Sequence, residues 1–257
     1  LTFLLSGVEI RNLYVSLQDM EERMKEQLMS WAEKYNDPVY FKEDPIIFPA
    51  HFAAGLDKGY RLADVEIAAL ISAHLAWGRR AMIVRDCNRA LDEMQWRPYD
   101  YVMNGEYRDE DTSLHRTVKW SEFAGICRRL KEIYGSRDSI EGMTNAQIRT
   151  LVYGRKEDPK APDKKINMMR RWMVRDDGKV DLGVWKHSDR KSLLIPLDVH
   201  VYEMAASLGL TARKQKDIVT VHEITDTFRE IFPDDPCKGD FALFGYGLYR
   251  QAAEASD

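Results

Sequence analysis

Cysteine is scarce in this chain. Its 257 residues include three (Cys87, Cys127 and Cys237), far apart and without a Cys-x-x-Cys pair. That excludes a four-cysteine zinc site or an iron–sulfur cluster and suits a reducing compartment, so the expected location is cytoplasmic. The six histidines (His51, His74, His115, His187, His200 and His222) form no His-x-x-x-His pair. Asp198-x-His200 alone is a weak ligand pattern, and no metal is expected. Walker and dinucleotide-type glycine motifs are absent as well, so no cofactor is expected. Long apolar runs are missing: the longest, residues 67–77, is interrupted by Ser72 and His74. It falls well short of the roughly 20 residues needed to cross a bilayer. The opening Leu-Thr-Phe-Leu-Leu lacks the basic flank and the cleavage site of a signal peptide. Alternating strand patterns are few, with residues 178–183 the one stretch that reads as a short hairpin.

What is present is helical periodicity in a globular balance of 44% apolar and 31% charged residues. Residues 8–35 carry Leu13, Leu17, Met20, Met24, Leu28 and Trp31 at three-to-four spacing, which predicts one long amphipathic helix ended by Asn36-Asp37-Pro38. This helix either packs back on the C-terminal helices or dimerises. An irregular stretch follows to about residue 60, and then residues 63–77 read as a buried helix broken by Gly78. Further helices are predicted at 82–94, 121–134, 145–152, 164–175, 199–208, 221–231 and 238–249. Residues 153–163 form the clearest loop, and Asp163 is the expected N-cap of the helix opening at Lys164. The class is all-α, in a single globular unit.

Charge is unevenly spread. The net charge is −4, yet residues 116–191 hold 19 Lys/Arg against 11 Asp/Glu, while the remainder holds 19 against 31. A basic middle in an acidic protein fits a localised polyanion-binding face, or equally a solvated lysine-rich surface.

Two segments carry chemistry. Lys164-Lys165-Ile166-Asn167-Met168-Met169 opens a helix, and Ile195-Pro196-Leu197-Asp198-Val199-His200-Val201 is an apolar extended run breaking into another. The positive end of a helix dipole disfavours a lysine charge, which favours the neutral, nucleophilic amine able to form a Schiff base. Taken singly, Lys164 reads as a solvated surface lysine and Asp198 as an N-cap.

Together these segments resemble the helix–hairpin–helix DNA glycosylase superfamily. Its bifunctional members have a Lys-x-x-Asn helix start carrying the nucleophile and an apolar-Asp-x-His segment carrying the catalytic aspartate. The resemblance implies Lys164 as nucleophile, Asp198 as catalytic carboxylate and His200 as a substrate neighbour. Lys164 is preferred to Lys165 because Ile166, Met169 and Met173 then fall on one buried stripe. Residues 67–74 are similar to an early apolar helix of these enzymes, which places His74 at the gap left by an extruded base; the alternative is a hydrogen-bonded core histidine. Asp240 and Phe244, one turn apart, resemble the base-recognition helix of 8-oxoguanine glycosylases, with core packing the alternative for Phe244. Leu75-Ala76-Trp77-Gly78-Arg79-Arg80, Arg171-Trp172-Met173-Val174-Arg175 and Pro196-Leu197-Asp198-Val199-His200 also resemble an uncharacterised bacterial family distantly similar to those glycosylases.

The resemblance implies a two-lobed helical fold with the site between lobes: residues 1–62 and 209–257 in one, and 63–208 in the other, with a hairpin-like region at 153–175. It implies removal of an oxidised purine such as 8-oxoguanine with lyase activity, and double-stranded DNA with a flipped base as partner, without a membrane or an obligate protein partner. Trp77 joins the substrate-binding candidates, and Arg79, Arg80, Arg170 and Arg171 are the phosphate-binding ones, or else solvated surface. The superfamily's glycine-rich hairpin is replaced here by Asp158-Pro159-Lys160-Ala161-Pro162-Asp163. Lys164 and Asp198 are separated by an insertion at 176–190, which the fold tolerates if it loops outward. A non-catalytic nucleic-acid-binding protein, or an unrelated helical enzyme or interaction module, are the competing readings.

Overall fold

The structure is a computed structural model that describes residues 7–254, with side chains over residues 20–251. The N-terminal pentapeptide and the side chains of Leu13 and Leu17 lie outside the described residues. Eleven α-helices and one two-stranded ribbon make up the regular structure among them. In order they are α1 (Gly7–Tyr35), α2 (Ile47–Ala53), α3 (Leu62–Leu75), α4 (Arg80–Glu93), α5 (Pro98–Asn104), β1 (Ser113–His115), β2 (Val118–Lys119), α6 (Trp120–Tyr134), α7 (Asn145–Gln147), α8 (Lys164–Val174), α9 (Val199–Ser207), α10 (Ile218–Ile231) and α11 (Lys238–Glu254). A turn of π-helix, Ile148–Val152, continues α7. No described helix is long and apolar enough to cross a membrane.

The centre of the molecule is α3. Residues 63–76 are all buried, and a helix apolar on every side has to be surrounded by others. Helices α2, α4, α5 and α8 pack around it. Asp64 fixes its start, accepting the Arg61 amide at 2.8 Å and the Tyr99 amide of α5 at 2.9 Å. Its second buried acid, Glu66, accepts hydrogen bonds from Tyr134 Oη, Ser139 Oγ and Trp185 Nε1. Desolvation raises the Glu66 carboxyl above its ordinary range, and those three donors act against it.

Helix α1 packs along α11. Among its described side chains, Leu28, Ala32 and Tyr35 are buried, whereas Met20 and Met24 of the expected stripe are exposed. Two short helices, α2 and α5, occupy stretches the periodicity leaves blank. The hairpin expected at 178–183 is not a strand pair. The antiparallel ribbon lies instead at β1–β2, where His115 pairs with Val118 in register. The insertion at 176–190 does not loop outward but folds inward. Val180, Asp181 and Trp185 are buried, and the Leu182 and Trp185 amides bond to the Trp172 and Met173 carbonyls at 2.7 and 2.9 Å, the open end of α8.

Candidate active site

The C-terminus of α3 and the N-termini of α8 and α9 converge on a cavity of about 850 Å³, closed on its other side by α11 and by the segment preceding α2. Lys164, Lys165, Asp198, His200, Asp240 and Phe244 all line it, as do Trp77 and Arg80.

Asp198 ends the extended run 193–197, whose Ile195 is fully buried with its amide on Thr225 Oγ1 at 3.2 Å. It caps α9 as expected: Oδ1 accepts the Val201 amide at 2.9 Å. Its other oxygen, Oδ2, lies 3.8 Å from Lys164 Nζ, with the aspartate side chain 42% and the lysine side chain 24% exposed. An ion pair that open to water contributes little to folding, so its interest is chemical. Asp163 occupies the N-cap position of α8 but does not cap it. Its backbone is left-handed at φ +44°, and its carboxylate takes Arg149 Nη1 at 2.9 Å.

Two lysines in the first turn of α8 are electrostatically misplaced with respect to their own helix, and α3 supplies the correction. Its C-terminal carbonyls, the negative pole of that helix, accept both amines: Ala76 O takes Lys164 Nζ at 3.1 Å, and His74 O takes Lys165 Nζ. Burial lowers the Lys165 amine to about 8, an effect that the charges of Arg155 and Lys164 reinforce. The folded protein must therefore hold a buried charge at Lys165 below pH 8, while above it the folded state sheds a proton the unfolded chain keeps until about pH 10.5. Urea denaturation is expected to show wild-type stability rising relative to Lys165→Met between pH 8 and about 10.5, by up to about 3 kcal/mol. A flat difference across that window would mean that the amine is charged and hydrated.

Trp77 is half-buried, with its carbonyl on His115 Nε2 at 2.9 Å, while His115 Nδ1 meets the buried Asp86 at 2.8 Å. Arg116 stacks on the Trp77 ring at 4.3 Å. Residue 78 must be glycine here: φ is +108°, and a Cβ would come within 2.8 Å of Arg116 Nη1. His200 is exposed at the cavity rim and packs on Gly247 of α11. Phe244 meets Tyr35, Tyr40 and Phe41 at ring separations of 5.9, 6.1 and 5.7 Å.

Three of the sequence candidates lie elsewhere or are already engaged. His74 is 2% exposed, stacked on Tyr153 at 4.9 Å with Nε2 on Glu122 at 3.0 Å, so its ring belongs to the core and only its carbonyl serves the site. Arg171, although it reaches the cavity wall, is buried, and its guanidinium is paired with Asp181 and Asp240. Arg170 Nε bonds to Asn145 Oδ1 at 2.6 Å and lines a separate cavity of about 590 Å³. Of the four arginines proposed for DNA, Arg79 and Arg80 remain on the surface. Arg149 and Arg175 of the basic middle are likewise drawn into internal ion pairs, which thins the expected basic face.

The sequence reading missed Asp44 and Phe41, which bring a carboxyl and an aromatic ring to the cavity from the stretch taken as irregular. The Asp44-Pro45 dipeptide is a turn signal that could have marked the position. Among the described residues no group of three or more His, Cys, Asp and Glu is placed to hold a metal, and the three cysteines are buried and free.

No curated protein and no solved structure matches this chain. One family matches, over residues 44–152 and 145–249, and these include the whole convergence of α3, α8 and α9 described above. The chain belongs to this family, described as Protein of unknown function (DUF2400).

Proposed function

We propose that this protein is a DNA base-excision glycosylase with lyase activity, acting on an oxidised purine such as 8-oxoguanine from a two-lobed, glycosylase-like layout. Its partner is double-stranded DNA with the damaged nucleotide turned into the cavity, and its place is the cytoplasm. The observation that carries this reading is the approach of Lys164 Nζ to within 3.8 Å of Asp198 Oδ2 on a cavity lined with aromatic side chains, from positions 34 residues apart.

Asp198 takes a proton from the Lys164 ammonium and releases it to solvent, and the amine so freed bonds to C1′ as the C1′–N bond to the base breaks with its electron pair, the departing base taking a proton from solvent. The new ammonium gives a proton to Asp198, directly or through one water across the 3.8 Å gap. Opening of the C1′–O4′ bond returns that proton to O4′ and leaves a protonated imine. Asp198 also faces the positive charge that develops on the sugar.

Borohydride reduction of wild-type protein on a lesion-containing duplex is expected to trap a covalent adduct. Asp198→Asn keeps a side-chain oxygen for the α9 cap and loses the charge, so the adduct should fall about 100-fold or more with stability unchanged. Asp198→Ala should in addition cost about 1 kcal/mol of folding stability. A panel of oxidised-purine duplexes that gives no adduct ends this reading.

A second reading has its own observation. Both amines are already satisfied by α3 carbonyls, which suits a nucleic-acid-binding protein that keeps these lysines for their structural bonds. Salt-dependent DNA binding without adduct would favour it.

A further inference from the structure

Three carboxyl groups line the cavity, from Asp44, Asp198 and Asp240. Two have occupations already described: Asp198 caps α9 beside Lys164, and Asp240 receives Arg171 Nη1. Asp44 differs. It follows a turn of 3₁₀-helix, Pro38–Phe41, and its own amide bonds back to the Phe41 carbonyl at 3.0 Å. Oδ1 accepts the Ile46 amide at 3.1 Å, an Asx turn that fixes the side chain. Oδ2 has no hydrogen-bond partner among the described residues; Arg80 Nη2 stands 4.0 Å away, beyond bonding distance. The side chain is 20% exposed while lining the cavity, so its remaining surface opens there.

Aromatic rings line the same cavity. Phe41, three residues upstream, lies 5.6 Å from Phe241 and 5.7 Å from Phe244, and all three line the same cavity. A fixed, partly desolvated acceptor in a cavity that also presents aromatic rings suits a planar heterocycle that offers an in-plane N–H. The geometry points to Asp44 as the residue that reads the base in this cavity, with Oδ2 accepting a ring N–H of a purine-type heterocycle packed against Phe41 and Phe244. This inference rests on the glycosylase reading for the ligand class and assigns recognition to a residue outside the Lys164–Asp198 pair. Burial raises the Asp44 carboxyl above its ordinary range, against the Ile46 bond and the charges of Arg171, Arg80 and Lys164. That is the condition of a carboxyl deprived of water with bonding capacity unused.

The test separates binding from chemistry. Binding of 8-oxo-2′-deoxyguanosine is measured by isothermal titration for wild type, Asp44→Asn and Asp44→Ser, alongside borohydride trapping on a duplex with a preformed abasic site. Asn and Ser both retain an oxygen for the Ile46 amide, so the turn survives in each. Neither offers a carboxylate oxygen at the Oδ2 position. Both variants are expected to bind the nucleoside about 10- to 100-fold more weakly while trapping the abasic duplex within about threefold of wild type. Wild-type binding preserved in either variant overturns the assignment, as does the absence of nucleoside binding by wild type. A parallel loss of binding and trapping overturns it too, because Asp44 would then be supporting the site as a whole. Failure of the glycosylase reading has a different signature: nucleoside binding that depends on Asp44, with no adduct on any duplex.

Discussion

Replacing Lys164 with glutamine is expected to abolish the borohydride-trapped adduct and to lower base release by at least about a thousandfold. The size follows from the role: loss of a nucleophile removes the covalent path altogether, and what remains is the contribution of binding and electrostatics. Folding should be nearly unaffected. Glutamine can still donate to the Ala76 carbonyl, and an ion pair at 3.8 Å between partly exposed groups is worth little. The variant also decides between neighbours. Lys165 is the amine that burial lowers to about 8, but its bond runs to His74 O, whereas the carboxylate of Asp198 stands beside Lys164. Full trapping in Lys164→Gln that disappears when Lys165→Met is added would transfer the nucleophile to Lys165. Peptide mapping of the wild-type adduct gives the same answer independently.

The largest loss of stability is expected from Asp181→Ala, about 3–5 kcal/mol by chemical denaturation. Asp181 is fully buried between two arginines, accepting Arg171 Nε at 3.3 Å and Arg175 Nη1. Burial works against the Arg175 charge, yet the bonds to Asp235 and the charges of Asp181 and Asp177 more than offset it, so this guanidinium stays firmly protonated. Removing the central carboxylate leaves two cations in the interior with less than their complement of partners. Arg171 would lean more heavily on Asp240, so the damage should extend to the cavity wall. A loss below about 1 kcal/mol would mean that water enters and solvates the arginines, as it does around exposed pairs.

The long helices were legible because burial imposes a period on them. Helix α3 shows it as an unbroken apolar stretch, and α8 as the Ile166, Met169 and Met173 stripe, all at or below 3% exposure. The Asp198 cap was legible from residue type and position alone. Short elements were not: α2 and α5 have seven residues each, too few for a period to declare itself, and β1–β2 pairs only a few residues. Charge misled for a different reason. An arginine in a sequence shows its sign but not its partners, so Arg170 and Arg171 looked like surface cations while their counter-groups, Asn145, Asp181 and Asp240, lay 10 to 69 residues away. The insertion at 176–190 was hidden in the same way, since its inward turn depends on Trp185 reaching Glu66 across 119 residues. Asp44 escaped notice because a carboxyl in a Pro-containing loop gains meaning only once α11 is laid against it.

The cavity is walled on one side by α11, and behind α11 lies α1. Tyr35 of α1 sets its ring edge-on to Phe244 at 5.9 Å and fills the space where a side chain at Gly245 would stand. Trp31 leans on Tyr246 one turn before, with ring centroids 5.2 Å apart. The wall of the cavity is thus braced from the rear, by the seating of two helices against each other through Trp31 and Tyr35, residues that do not line it.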